Sequence, residues 1–173
     1  MTKKRWLSLW VENEIGVLAR ISGLFSGKAY NLDSLTVGMT EDETISRMTI
    51  GLTSDDRTLE QIKKQLNRSV EVIRVTDFTD KPVYRKELMF VRICDCSESD
   101  KEELRQLCKE RCLNRTEESD TGVVLESVQT EAKNDDLICL LKKNYGNRME
   151  IVRGGSVAVE GIGMSLKNNE LED

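Results

Sequence analysis

The chain has 173 residues, of which 38% are hydrophobic and 33% charged, a composition typical of one medium globular domain or two small ones. Its formal net charge of −5 argues against a nucleic-acid-binding surface, which requires a concentrated basic face. The sequence contains no histidine, which removes the commonest general base and every serine–histidine or cysteine–histidine pair. An independent enzyme is therefore less expected, and its catalysis would depend on carboxylates or lysine.

Several features bear on the compartment of the protein. No apolar run approaches the roughly 20 residues that a membrane span requires, so no membrane association is expected. The basic residues at 3–5 are followed by an alternating segment, which is not the pattern of a secretory signal. The five cysteines are odd in number and fit reduced thiols better than a disulfide framework. Together these features predict a cytoplasmic protein.

The first half of the chain alternates between strand and helix periodicities. Leu7, Leu9 and Val11 recur at every second residue, as in a strand. Apolar residues from Val17 to Phe25 fall on one face of a helix. Continued along the chain, this reasoning predicts strands at 4–12, 31–39, 45–52 and 70–78, a helix at 16–28, and a helix from an acidic cap at 54–56 to about 67. The resulting βαββαβ order is the ferredoxin-like pattern.

The pattern repeats after a short linker. Residues 79–85 contain the single proline and are predicted to separate an N-terminal domain at 1–78 from a second domain at 86–163, with a polar tail at 164–173. The second domain is predicted to contain strands at 87–96, 113–119, 123–129 and 150–160 and helices at 99–111 and 132–144. The predicted fold class is therefore α+β, with two tandem ferredoxin-like βαββαβ domains.

Trp6 and Trp10 lie on the face of the first strand opposite its alternating apolar residues. A ferredoxin-like sheet carries helices on one face only, so the tryptophans are predicted on the face without helices. Large aromatic residues there are candidates for an interface with a partner or a second copy. Coverage by the chain's own second domain is the alternative, and the sequence leaves both open.

The turn at residues 12–18 is the main candidate site. Gly16 can adopt backbone angles closed to other residues, or allow the backbone to approach a ligand closely. The helix that follows offers N–H groups and a partial positive charge, which together favour an anion. Asn13 in this turn is either a cap or turn residue, or an amide that binds a ligand.

Residues 12–26, 30–37 and 46–50 closely resemble the ACT domain of the acetolactate synthase (acetohydroxyacid synthase) small, regulatory subunit, and residues 151–161 resemble the end of that family's C-terminal domain. Ala29 departs from the family, which usually has glycine there. The resemblance implies a non-catalytic chain with no catalytic residue, cofactor or metal of its own. It implies a catalytic (large) subunit as partner, which uses thiamine diphosphate, magnesium and FAD to condense pyruvate with pyruvate or 2-oxobutyrate.

The same resemblance implies activation of that partner and allosteric feedback inhibition by a branched-chain amino acid, with valine as the first choice. ACT domains pair as homodimers, with the effector between the glycine turn of one copy and the second strand of the other. The matching positions here are Asn13, Ile15, Gly16, Val17, Asn31 and Leu32. Backbone N–H groups of the turn suit the effector carboxylate, the two amide oxygens suit its ammonium, and the apolar residues suit an aliphatic side chain.

Other interpretations have less support in the residues. A free-standing ACT-domain sensor of an amino acid is the main alternative, but no helix-turn-helix or basic stripe accompanies it. An RNA-binding module shares the βαββαβ layout, yet the strand at 45–52 has no aromatic residue to stack on bases. Cys94, Cys96, Cys108 and Cys112 could bind zinc only if their strand and helix faced each other, and ordinary core positions are the simpler interpretation.

Overall fold

The structure is a computed structural model that describes residues 1–28 and 30–162. It divides into two units, the first comprising Met1–Tyr84 together with the chain from Val157 onward, and the second Arg85–Ser156. Each unit is built on one four-stranded antiparallel sheet with helices, so the prediction of two ferredoxin-like βαββαβ domains is confirmed. Ala29 and the predicted tail at 164–173 lie outside the described residues.

The first unit has the predicted element order, with small shifts at the ends. Its strands are β1 (Lys3–Glu12), β2 (Leu32–Met39), β3 (Ile45–Ser54) and β4 (Val72–Asp77), and its helices are α1 (Val17–Ser26) and α2 (Asp56–Leu66). The order across the sheet is β2-β3-β1-β4, with β1 and β3 antiparallel at the centre. Helix α2 begins at the predicted acidic cap, because the Asp55 side chain accepts a hydrogen bond from the Thr58 backbone N–H.

The core of this unit lies between one sheet face and the two helices. The alternating residues Leu7, Leu9 and Val11 of β1 are fully buried there. Leu7 faces Ile50 and Leu9 faces Met48 across the β1–β3 pair, which brings the apolar faces of both strands together. The apolar stripe of α1 packs on this face, so the period-two and helical patterns of the sequence meet in one core.

The opposite sheet face carries the two tryptophans, as predicted. Trp6 is only 5% exposed and packs with Phe78 and Ala158 in a small apolar cluster inside the first unit. Trp10 is half-buried, and the guanidinium carbons of Arg47 and Arg74 lie 4.5 and 5.2 Å from its ring centre. Trp6 is thus covered by its own chain, whereas a partner contact at Trp10 stays a prediction.

The second unit repeats the architecture. Its sheet is formed by β5 (Val83–Cys94), β6 (Asn114–Ser119), β7 (Gly122–Gln129) and β8 (Met149–Glu160), in the order β6-β7-β5-β8, and its helices are α3 (Glu98–Arg111) and α4 (Glu131–Tyr145). The first two residues of β5 and the stretch 157–160 of β8 belong to the first unit. Strand β5 begins at Val83, inside the segment predicted as linker. It ends at Cys94, two residues earlier than predicted, because Asp95 takes a positive φ of 52° that an extended strand does not accommodate. No helix in the described part of the chain is long and apolar enough to cross a membrane.

A buried polar network ties helix α4 to the sheet of the second unit. Asn134 is fully buried; it accepts a hydrogen bond from the Ser127 hydroxyl at 2.7 Å and donates to the Glu87 carboxylate at 3.0 Å. Arg153 donates twice to the same carboxylate, at 2.9 and 2.7 Å. Burial raises the pKa of Glu87, but the hydrogen bonds from Arg153 and Asn134 outweigh burial, so its pKa lies below the usual value. The carboxylate therefore remains ionised and fully paired.

We expect Asn134→Ala to destabilise the second unit by about 2–3 kcal/mol, because the buried Glu87 and Ser127 then lose their shared partner. Both tryptophans lie in the first unit, so urea unfolding followed by tryptophan fluorescence reports that unit, whereas circular dichroism reports both. The urea concentration at the midpoint of unfolding should fall when it is followed by circular dichroism and should be unchanged when it is followed by tryptophan fluorescence. Asn144→Ala, at an exposed position of the same helix, is the control and should cost under about 0.5 kcal/mol. Equal shifts in the two variants would contradict a special role for the network.

Candidate functional site

The turn between β1 and α1 exposes the start of a helix. Gly16 is the N-cap residue of α1, with a left-handed φ of +89°. Because glycine has no side chain, no side-chain hydrogen bond caps the start of this helix. A Cβ added at Gly16 would have no atom within 4 Å, so the space in front of the turn is open. Because the first turn of a helix leaves N–H groups without intrahelical partners, this end of α1 presents donors and a positive dipole end to that space. The arrangement suits a carboxylate.

The two apolar residues that flank Gly16 play different parts. Ile15 is fully exposed, at 101% of its reference surface, which is unusual for a large aliphatic side chain. Val17 is 3% exposed and belongs to the core beneath the turn, and its backbone N–H donates to the Glu14 carbonyl at 3.3 Å. Of the two, only Ile15 has a side chain that can contact a molecule in front of the turn.

Asn13 fastens this turn to the loop at residues 40–44, between β2 and β3. Its backbone N–H donates to the Thr44 carbonyl at 2.7 Å, and its side-chain Nδ2 donates to the Glu43 carbonyl at 2.8 Å. Its Oδ1 accepts a hydrogen bond from the Ser46 hydroxyl at 2.9 Å. The structure thus gives Asn13 a turn-stabilising role. Because an amide oxygen has two lone pairs, the predicted contact with an ammonium group stays open to it.

The loop that receives Asn13 is itself ordered by a short acidic turn. The Asp42 carboxylate accepts hydrogen bonds from the Thr44 hydroxyl and backbone N–H, at 2.7 and 2.9 Å. These two hydrogen bonds lower the pKa of Asp42 below its usual value. Local contacts therefore fix the position of the carbonyls that accept hydrogen bonds from Asn13, and this loop stabilises the Gly16 turn.

Asn31 and Leu32 lie at the other end of the same sheet. Leu32 opens β2 and pairs with Leu52 of β3, whereas the Gly16 turn follows Glu12, which pairs with Ile45 at the far end of β3. The seven residue-to-residue steps from Ile45 to Leu52 span roughly 23 Å at about 3.3 Å per step. A single chain therefore does not bring the two predicted halves of the effector site together.

Ser46 and Glu43 were not among the predicted site residues. Their link to Asn13 depends on the strand register, in which Ser46 pairs with Val11, the second residue before Asn13. The βαββαβ order predicts that β1 and β3 are neighbours. It does not predict the register of their pairing, which would have been needed to find these contacts.

The cysteines are dispersed between the core and the surface of the second unit. Cys96 and Cys108 are buried, Cys94 is half-buried, and Cys112 is exposed at the end of α3. Burial raises the pKa values of the Cys96 and Cys108 thiols, which favours their neutral form. Within residues 1–28 and 30–162, no group of three cysteine, aspartate or glutamate side chains is placed to hold a metal ion.

The fold and the turn define a protein with an N-terminal ACT domain followed by a second ferredoxin-like domain. A family model for the ACT domain of the AHAS small-subunit type matches residues 7–74, and one for the small subunit of acetolactate synthase matches residues 86–162. The acetolactate synthase small subunit of Aquifex aeolicus is 36% identical over 98% of this chain and 87% of its own length. The isozyme 3 small subunit of Salmonella typhimurium is 37% identical over 90% of this chain and 94% of its own length.

A solved structure agrees with these matches. The acetolactate synthase small subunit from Thermotoga maritima superposes with a TM-score of 0.82 and 30% identity, over 92% of this chain and 98% of that one. The chain belongs to the family of acetolactate synthase small subunits. The resemblance predicted from residues 12–50 is therefore confirmed.

We expect Asn13→Ala to loosen the Gly16 turn, because it removes the hydrogen bonds to the Glu43 carbonyl and from the Ser46 hydroxyl. A loss of about 1 kcal/mol in local stability corresponds to roughly fivefold faster amide hydrogen exchange in this turn. Exchange followed by nuclear magnetic resonance measures this at the hydrogen-bonded N–H groups of the turn, those of Val17 and of residue 13. Glu14→Ala, at an exposed position of the same turn, is the control and should leave the exchange rates unchanged. Unchanged rates in Asn13→Ala would show that these contacts do not hold the turn.

Proposed function

We propose that this chain is the regulatory subunit of an acetolactate synthase, and that it binds a branched-chain amino acid and controls a separate catalytic subunit. The observation that carries the proposal is the open helix start at Gly16 in an ACT domain of this family. The relatives are named as small subunits, which supports a large catalytic partner. In this proposal the chain performs no catalysis, and thiamine diphosphate, magnesium and FAD belong to the partner.

The chemistry of the turn suits an amino-acid effector. Its carboxylate would accept hydrogen bonds from the backbone N–H groups of Ile15 and Gly16, aided by the dipole of α1. Its ammonium group would donate to the second lone pair of Asn13 Oδ1 and to the amide oxygen of Asn31. The exposed Ile15 would cover its aliphatic side chain. Size alone discriminates weakly, by about 1–3 kcal/mol per methylene, and valine is proposed first by family resemblance.

A homodimer would bring the two halves of this site together. Strand β2 is at the edge of the sheet, with a row of backbone groups available for pairing. If β2 pairs antiparallel with β2 of a second copy across a two-fold axis, the Asn31 end of one strand lies beside the Met39 end of the other. Met39 pairs with Ser46, the residue that holds Asn13, so the second copy's Asn31 would approach the Gly16 turn.

The exposure of apolar side chains supports the same dimer. Val37 and Met39, near the end of β2, are 47% and 64% exposed, and Leu18 on α1 is 43% exposed. Together with Ile15 they form apolar surface beside the turn and along the edge strand. Pairing through β2 would remove such surface from water, which is a favourable contribution to association.

We expect Gly16→Asp to weaken effector binding by about tenfold or more, because its carboxylate would occupy the place of the effector's carboxylate. Isothermal titration calorimetry with valine, leucine and isoleucine measures the loss and identifies the effector.

Gly16→Asn is the matched control for this experiment. Asparagine and aspartate have nearly the same shape, and both tolerate the left-handed backbone of Gly16, so they differ chiefly in charge. The asparagine variant should retain more affinity than the aspartate variant. Equal losses would mean that charge at the turn is irrelevant, and unchanged affinity in both would place the effector elsewhere.

Mixed dimers test whether the site lies between two copies. We expect a mixture of Gly16→Asp and Asn31→Ala chains to recover binding, because a mixed dimer pairs an intact turn from one chain with an intact Asn31 from the other. Random exchange would restore about a quarter of the sites, which titration at an effector concentration too low for either variant alone would detect.

The double variant Gly16→Asp with Asn31→Ala, mixed with the wild-type chain, is the control for subunit exchange. Its mixed dimers contain one altered residue in each site, so they should provide no intact site. If the two single variants fail to complement each other although exchange is demonstrated, the effector is bound within one chain or not at this turn.

A further inference from the structure

Helices α3 and α4 enclose a groove in the second unit that the proposed effector site does not use. Its cavity measures about 340 Å³. Four leucines form its walls: Leu104, Leu107, Leu140 and Leu141. Leu104 and Leu141 are buried in the core, whereas Leu140 is 36% exposed at the groove mouth. The space is large enough for an aliphatic side chain together with its backbone.

The charged groups that line the groove are acidic, and the amides of Gln106 and Asn144 accompany them. Glu103 and Glu110 line it from α3, and among the residues that the structure describes no lysine or arginine lines it. Glu103 is held in place by the Asn144 amide, which donates to Glu103 Oε1 at 3.1 Å. Because Glu103, Leu107 and Glu110 are three and four residues apart, they share one face of the helix. The groove therefore combines apolar walls with a negatively charged edge.

The base of the groove holds a buried hydroxyl with unused hydrogen-bonding capacity. Tyr145 is 2% exposed, and within the described residues its hydroxyl makes no hydrogen bond of good geometry, although the Glu103 carboxylate is close enough to interact with it. Burial, the nearby Glu103 charge and hydrogen bonding to the Glu103 carboxylate raise the pKa of Tyr145 to about 12, so the hydroxyl keeps its proton at neutral pH. Because the hydroxyl makes no hydrogen bond of good geometry with Glu103, it can still donate to an acceptor that enters the groove, which lowers the free-energy cost of its burial.

We propose that this groove binds a segment of the catalytic subunit that presents an aliphatic side chain next to a lysine or arginine, an inference that rests on the proposed function. The leucines would enclose the aliphatic side chain, the carboxylates of Glu103 and Glu110 would pair with the basic residue, and the Tyr145 hydroxyl would donate to a backbone carbonyl of the segment. The leucine walls, the two carboxylates and the tyrosine hydroxyl thus match an aliphatic side chain, a basic side chain and a backbone carbonyl of one polypeptide segment.

The charge of the groove argues against a second copy of this chain as the occupant. A two-fold contact sets the same patch against itself, so the Glu103 and Glu110 edges of two copies would meet. Such like-charge contacts disfavour association, whereas a basic partner gains both affinity and a faster encounter rate. Binding through this groove should therefore weaken as salt is raised.

The test measures association of the purified chain with its acetolactate synthase catalytic subunit, by calorimetry at low and moderate salt. Leu140→Arg and the double variant Glu103→Lys with Glu110→Lys should each weaken association by about tenfold, and Tyr145→Phe by a smaller factor. All of these changes except Tyr145→Phe are at exposed positions, and circular dichroism would verify that each variant is folded. Affinity for valine at the Gly16 turn should be unchanged in every variant.

Leu88→Arg is the matched control, because Leu88 is 43% exposed in the same unit but lies on strand β5, outside the groove. It should leave association near the wild-type value. Wild-type affinity in the groove variants, or an equal loss in Leu88→Arg, would overturn the groove inference and leave the proposed function standing. If the wild-type chain itself failed to associate, the proposed function would fall, and the groove inference with it.

Discussion

The antiparallel pairing of β1 with β3 is the constraint on which the rest of the first unit depends. Its register runs without a break from Lys3 opposite Ser54 to Glu12 opposite Ile45. A shift by one residue would turn every side chain to the other face, so burial of Leu7 and Leu9 fixes the register firmly. That register sets the loop at residues 40–44 under Asn13 and thereby positions the turn that presents Gly16.

Local patterns were enough to predict most of the elements, because each pattern depends on residues close in sequence. Alternation predicted β1, helical spacing predicted α1, and the acidic cap at Asp55 predicted the start of α2. Local patterns do not show what covers Trp6, because Ala158, which packs on it, is 152 positions further along the chain. The early start of β5 at Val83 was also missed, since a proline and polar residues just before it favoured a longer linker.

In the candidate site, too, some features follow from local sequence and others depend on the folded structure. Gly16 could be predicted because a glycine at a strand-to-helix turn has a local conformational reason, and its left-handed φ agrees with that reason. Val17 illustrates a different case: the family resemblance made it a candidate contact for the effector, whereas the helical spacing of residues 17–25 predicts the core position that its side chain occupies. The groove between α3 and α4 could not be found from sequence at all, because Leu104 and Leu141 meet only after the second unit folds.

The separation between Gly16 and Asn31 has a consequence for regulation in the proposed dimer. Both residues are anchored to one sheet, so an effector that contacts them in different copies responds to the geometry between the copies rather than to the shape of either chain. A ligand shifts an equilibrium only by its differential affinity for the two states, and couplings of this kind are typically about 1–3 kcal/mol. An effector at the Gly16 turn would therefore act by favouring one arrangement of two ACT domains. A catalytic partner would respond to this arrangement only if it contacts both copies, or if it contacts a surface whose position depends on the arrangement of the dimer.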